Sequence, residues 1–335
     1  MAGILESLSE MATPEVMGQI SKMTGIDPAL LNKGLGAVSA TTLGSMANSA
    51  KTPEGADALF KKLPTDADSG GSSQDLLGGF MKSVTGSSGG TSADMMNSVL
   101  GSGTNAIAGT LSKTLGFNVA PILTMAVPAV LGIVTKAAKS GGLDASGLGK
   151  MLSDQSKEFM DNPSNKETAG IVKSALKAGE TASKLRASYT DAEWEKMRGA
   201  PVAAMALVAA ASPSKRGKAD AEVSAGASAI IESADAAEPT TLLGSAFGGG
   251  PTEAELATLE NTTMTGADAL AAIKAAVTVV AEKNPNDLSA YRAMVNRTAL
   301  AVAEAAKEGG FLGMGGKLIS PEEEAALAEI KNATG

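Results

Sequence analysis

Apolar residues along this chain recur at spacings of three and four, and the polar residues between them gather into clusters that read as helix starts. Thr13-Pro14-Glu15, Asp27-Pro28, Thr52-Pro53-Glu54 and Ser320-Pro321-Glu322 share one signature. A capping oxygen, a proline at the first helical position and an acid in the first turn all suit a helix N-terminus. Thr190 and Glu193 have capping-box spacing, and Thr252 follows a Gly-rich loop as a further cap. Leu270, Ile273, Val277 and Val280 share one helical face, as do Leu288, Tyr291, Val295 and Val302, and both faces point to one bundle core. No alternating apolar–polar run lasts beyond a few residues, so strands are not expected and the predicted fold is all-α and multihelical.

Two stretches are apolar on every side. Val119 to Val134, interrupted by Pro121, Thr124 and Pro128, is shorter than the roughly twenty residues that span a bilayer, and predicts a buried helix. Pro201 to Ala211 predicts a second buried helix, ending at Ser212-Pro213.

The first half carries an internal repeat. Ile20 to Leu31, "ISKMTGIDPALL", aligns with Leu111 to Ile122, "LSKTLGFNVAPI", so that Ser21, Lys22 and Gly25 pair with Ser112, Lys113 and Gly116. In each copy the glycine can end one helix in the left-handed conformation, Asp27 or Asn118 caps the next, and a long apolar helix follows. Polar Gly/Ser segments around 65–75 and 85–94 read as connectors between the copies. The expected organisation is a helical domain over 1–160, duplicated over about 14–63 and 96–160, a helical link over 161–188 and a C-terminal helical bundle over 189–335.

Composition narrows the chemistry. The chain has no Cys, no His and one Trp. Disulfides, thiol catalysis, Cys- or His-ligated metals and the usual neutral-pH base are therefore excluded, leaving oxygen-ligand metals. A core built from Ala, Leu, Val, Ile and Met with so few rings must rely on close approach of helix backbones. The formal charge of -8 disfavours nucleic acid, whose phosphates need clustered Lys and Arg. With Glu6 and Glu10 inside the first apolar stretch and no basic leader, a cytoplasmic protein is expected.

Two resemblances rest on longer stretches. "LGSGTNAIAGTLSKTLGFN", "APILTMAVPAVLGIV" and "GGLDASGLGKMLSDQSKEFM", within Met96 to Met160, resemble the bacterial YidB-like family of unknown function. The chain from Tyr189 to the end is similar to an uncharacterised bacterial helical domain with a "TxEEW" opening, an "APxxxxxAVAAASPS" helix and a "KEGGFLGFGG" segment. Here these are Thr190 to Trp194, Ala200 to Ser214 and Lys307 to Gly316, with Met314 replacing an aromatic. Both resemblances imply a helical fold and neither implies a reaction.

Candidate sites are few. In Gly309 to Ile330 the glycines and Lys317 suggest a phosphate loop, but Phe311 and Leu318 stand where a Walker loop needs Gly and a hydroxyl. The following helix already carries Glu322, Glu323 and Glu324 at its N-terminus. Phe311, Leu312 and Met314 are read instead as tucked against the bundle or exposed as an anchor for a partner or another copy. Asp66 to Leu77 begins like a calcium loop, but Gly70 and Leu77 occupy ligand positions. Ser174 and Lys177 match S-x-x-K without its companion motifs, and a solvated helix face explains them. Lys215, Arg216 and Lys218 form a basic cluster read as a solvated connector. Glu193 and Glu195 flank Trp194, the expected core anchor of the second domain and a further interaction candidate. No cofactor is expected. The leading expectation is a non-catalytic helical protein that associates with itself. The alternatives are a peripheral membrane role for Val119 to Val134, or an Asp/Glu or oxygen-metal enzyme site between domains.

Overall fold

The structure, a computed structural model, describes residues 3–63, 91–211, 216–261, 264–305 and 319–335. Among the described residues there is no strand, and the fold is all-α. The chain divides into two compact units, Met1–Ser183 and Lys184–Gly335.

In the first unit the helices are α1 (Ile4–Met11), α2 (Pro14–Thr24), α3 (Pro28–Ser49), α4 (Pro53–Lys61), α5 (Thr91–Leu100), α6 (Thr104–Leu115), α7 (Ala120–Ser140) and α8 (Ala145–Asp161). α9 (Lys166–Ala187) contains the division between the units. Thr13, Asp27 and Thr52 cap α2, α3 and α4 through their side chains, each with proline in the first turn. α5 starts at Thr91, so the end of the second Gly/Ser segment is helical.

The repeat has a geometric counterpart. Gly25 (φ 70°) ends α2 and Gly116 (φ 81°) ends α6, and their amides donate to the carbonyls of Ser21 and Ser112. Asp27 Oδ1 then accepts from the Ala29 amide at 2.8 Å, and Asn118 Oδ1 accepts from the Ala120 amide at 2.9 Å. Both turns open onto long helices, α3 and α7, which are buried on most sides and pack on each other. Hydroxyls inside them return to their own backbone, as when Thr41 and Thr135 donate to the carbonyls of Ala37 and Leu131.

α7 is longer than the apolar run suggests. It continues six residues past Val134 to Ser140, and Pro128 lies inside it without ending it. By length and composition α7 could cross a membrane, yet 61% of its apolar window is buried in the first unit.

Close backbone approach is visible where α9 meets the start of α6. A Cβ on Gly103 would lie 2.3 Å from the Gly179 carbonyl oxygen and 2.6 Å from its Cα. Ala106, Ala178 and Ala182 extend this contact, and Ile171 and Ala175 of α9 join the main core.

The second unit contains α10 (Asp191–Ala211), α11 (Arg216–Ala236), α12 (Leu242–Phe247), α13 (Glu253–Asn261), α14 (Gly266–Lys283), α15 (Leu288–Ala305) and α16 (Pro321–Thr334). α10 packs on α14, α15 and α16, while α11 lies along α15. Ile273, Val277 and Val280 of α14 and Tyr291, Val295 and Val302 of α15 are buried in one core, with Leu270 and Leu288 at its margin. The cap at Thr190 and the apolar run from Pro201 belong to a single helix, because α10 passes through Pro201 without a break. Proline cannot donate to the carbonyl four residues back, that of Met197. The Tyr291 hydroxyl does so instead, at 2.6 Å, from a fully buried position.

Candidate functional site

A cavity within the second unit lies beside α10. From Gly199 to Ala211 α10 is apolar on every side, so it can serve a core and a cavity at once. Met197, Ala200, Ala204 and Val208 face the core, whereas Gly199, Ala203, Ala206 and Ala210 line a cavity of about 900 Å³. Val202, Met205 and Ala209 of the same helix and Val223, Leu259, Met264, Ala272 and Val302 complete its apolar lining. Its polar lining comprises Glu195, Lys196, Asp220, Glu222, Glu255 and Thr258.

One wall, α13, is fixed by Arg198. Arg198 Nε donates to Glu255 Oε1 at 2.7 Å and its NH2 donates to Glu255 Oε2 at 2.8 Å. The same guanidinium donates to the carbonyls of Ala246 and Gly250 and lies 5.3 Å from the centre of the Phe247 ring. Glu255 also closes a capping box, accepting from the Thr252 amide at 2.7 Å while the Thr252 hydroxyl accepts from the Glu255 amide. This fork-to-fork pair holds the helix in place and leaves little of either charge for chemistry.

Trp194 stands half-buried at the other end of α10. Its ring meets Tyr189 edge-on at 5.5 Å between centroids, and the Arg186 guanidinium lies 5.0 Å from the ring centre. Tyr189 donates to Asn284 Oδ1 at 2.9 Å, and burial, followed by the nearby charges of Asp287 and Glu193, pushes its phenol up to about 12. Glu193 accepts from the Thr190 amide at 2.8 Å and pairs with Lys283 at 3.3 Å. That cap, led by the backbone hydrogen bond, holds the Glu193 carboxyl below its ordinary 4.5. Trp194 is therefore an aromatic edge of the core, and Glu193 is a structural acid. Glu195 is exposed at the cavity.

The remaining sequence candidates are scattered. Ser174 donates to the Gly170 carbonyl at 3.0 Å and is exposed on α9, as is Lys177. Phe311, Leu312 and Met314, the Asp66 to Leu77 segment and Lys215 lie outside the described residues. Among the described residues no group of three or more Asp or Glu is placed to hold a metal ion. Sequence reasoning missed the cavity, although its signal was present: Gly199, Ala203, Ala206 and Ala210 repeat at spacings of four, three and four on a helix with a second apolar face. The Arg198–Glu255 pair had no signal, since the partners are 57 residues apart.

Residues 6–137 match the family model described as "Bacterial protein of unknown function (DUF937)". The match lies wholly in the first unit and takes in both glycine turns. Comparison with curated proteins and with solved structures finds no significant match.

Proposed function

We propose that this protein is non-catalytic and works by association, first of all with further copies of itself, in the bacterial cytoplasm. The observation that carries this reading is the first glycine turn. Met23 and Leu30, on either side of Gly25, are 43% and 44% exposed. The aligned positions beside Gly116 hold Thr114 and Pro121. Single exposed apolar residues are ordinary, but two large ones at one corner, where the paired turn has none, fit a contact surface. Most soluble oligomers are built from copies of one chain, and a second copy is the occupant proposed here. The closer kinships, of the first half with the YidB-like family and of the second with the "KEGGFLGFGG"-type domain, belong to the same proposal and add no reaction to it.

Replacing both residues, Met23→Ser with Leu30→Ser, tests the surface. Light scattering of the full chain is expected to show an assembly that the double variant loses while far-UV circular dichroism stays unchanged. An assembly of the same size in both proteins would remove Met23 and Leu30 from the account.

A second reading is favoured by α7 alone, which has the length and hydropathy of a spanning helix. It requires α7 to leave the core of the first unit. Flotation with neutral and anionic liposomes separates it from the first, since a core helix leaves the protein at the bottom of the gradient. An enzymatic site has no comparable support, and a multi-degree thermal shift with Mg²⁺, Ca²⁺ or a nucleotide would be needed to introduce one.

A further inference from the structure

We propose that the cavity beside α10 is a binding site for an uncharged, apolar small molecule. Size is the first argument. At about 900 Å³ the cavity falls in the range of small-ligand sites, roughly 300–1,000 Å³.

Its shape is the second. α10 presents glycine and alanine here, so this wall is set back almost to the helix backbone, while side chains from α11, α13 and α14 stand round it. A docking helix needs a long open groove for anchors spaced along its face. A recess walled by several helices of one unit suits a compact molecule.

The distribution of polarity sets the ligand class. Val202, Ala203, Met205 and Val302 are buried, as is the carboxylate-bearing Glu222, whereas Glu195, Lys196 and Asp220 are exposed. Glu222 already has a partner of its own and is the exception; otherwise charge belongs to the rim and apolar surface to the floor. An ionised group drawn onto such a floor would lose its hydration without a partner. The exposed carboxylates further disfavour an anion. Met205 and Met264 give the lining unbranched, polarisable side chains that adapt to an irregular guest. The site is separate from Met23 and Leu30 and does not rest on the association reading.

Titrating the full chain with Nile red, an uncharged solvatochromic dye, is the test. Saturable, blue-shifted emission is expected. Ala206→Trp, which fills the recess, should weaken it by at least about tenfold. Ala210→Leu, at the exposed end of the same face, provides a milder block should the tryptophan variant fail to fold, with circular dichroism as the check. Dodecanol should displace the dye and laurate should not.

Several outcomes overturn the proposal. They are absence of saturable binding, binding unchanged in a folded blocking variant, and equal competition by laurate. A further arm replaces Phe311, Leu312 and Met314 with Ser. Binding that appears only in that variant would mean that the chain itself occupies the cavity.

Discussion

Tyr291 and Pro201 show how single residues make this fold work. A proline in the middle of α10 leaves the Met197 carbonyl without its helical donor, and the Tyr291 hydroxyl supplies one from a fully buried position. Burial pushes that phenol far above its ordinary value of 10.0, so it remains a donor at any physiological pH. Tyr291→Phe is expected to destabilise the second unit by about 1–3 kcal/mol, the cost of a buried acceptor left unpaired. In a Pro201→Ala background the restored amide can take over, so a double-mutant cycle read by urea denaturation should show a coupling of about 0.5–3 kcal/mol. Additive effects would mean that the two features are unrelated. Gly103 makes the corresponding point in the first unit, because its added Cβ would meet the backbone of Gly179, which cannot swing aside. Gly103→Ala should lower stability by about 1–3 kcal/mol. Gly170→Ala, on an exposed turn of α9 with nothing within 4 Å, should not lower it.

The helices themselves were largely legible. Capping residues act through local geometry, so Thr13, Asp27, Thr52, Thr190, Thr252 and Ser320 could be read from order in the chain alone. The glycine turns were legible for the same reason, since a left-handed residue followed by an Asx cap is a local solution. Proline misled at Pro201, where its cost was met from a distance. α7 passes through Pro128 as the single buried helix expected there, whereas α10 joins its cap to the run after Pro201 with a donor from a residue 94 positions away. The cavity escaped notice because α10 needs a partner on only one face to look like a core helix. Capping also predicts a pH response. Glu193 and Asp268 are held below their ordinary 4.5 and 3.8, by hydrogen bonds from Thr190 and Thr265. Each adds stability that is fully present above its unfolded value and is lost as pH falls through the lower folded value. Thermal unfolding followed from pH 7 downward should show the melting temperature falling below about pH 4.5, and less steeply in Glu193→Gln, which keeps the cap but not the titration. Tyr189 works in the opposite direction. Its phenol is raised to about 12, so its contribution holds below 10.0 and is lost as pH rises past that toward 12. An unchanged acid slope in Glu193→Gln would remove the cap from this account.

At the scale of the whole chain, missing side chains and small ones have one physical consequence. With no imidazole or thiol and one Trp, the chain fills its cores mainly with Ala, Val, Leu, Ile and Met, and brings backbones together at contacts such as Gly103 with Gly179. Separately, Met23 and Leu30 stand uncovered at a turn whose paired copy carries Thr114 and Pro121. The all-α class followed from periodicity, whereas the exposure of one turn and the recess beside α10 depend on which faces meet in three dimensions. Sedimentation velocity of the full chain over a wide concentration range is the most direct measurement of the central claim. The account predicts a species whose mass is a multiple of 33.2 kDa and whose share grows with concentration. A single 33.2 kDa species at every concentration would contradict it.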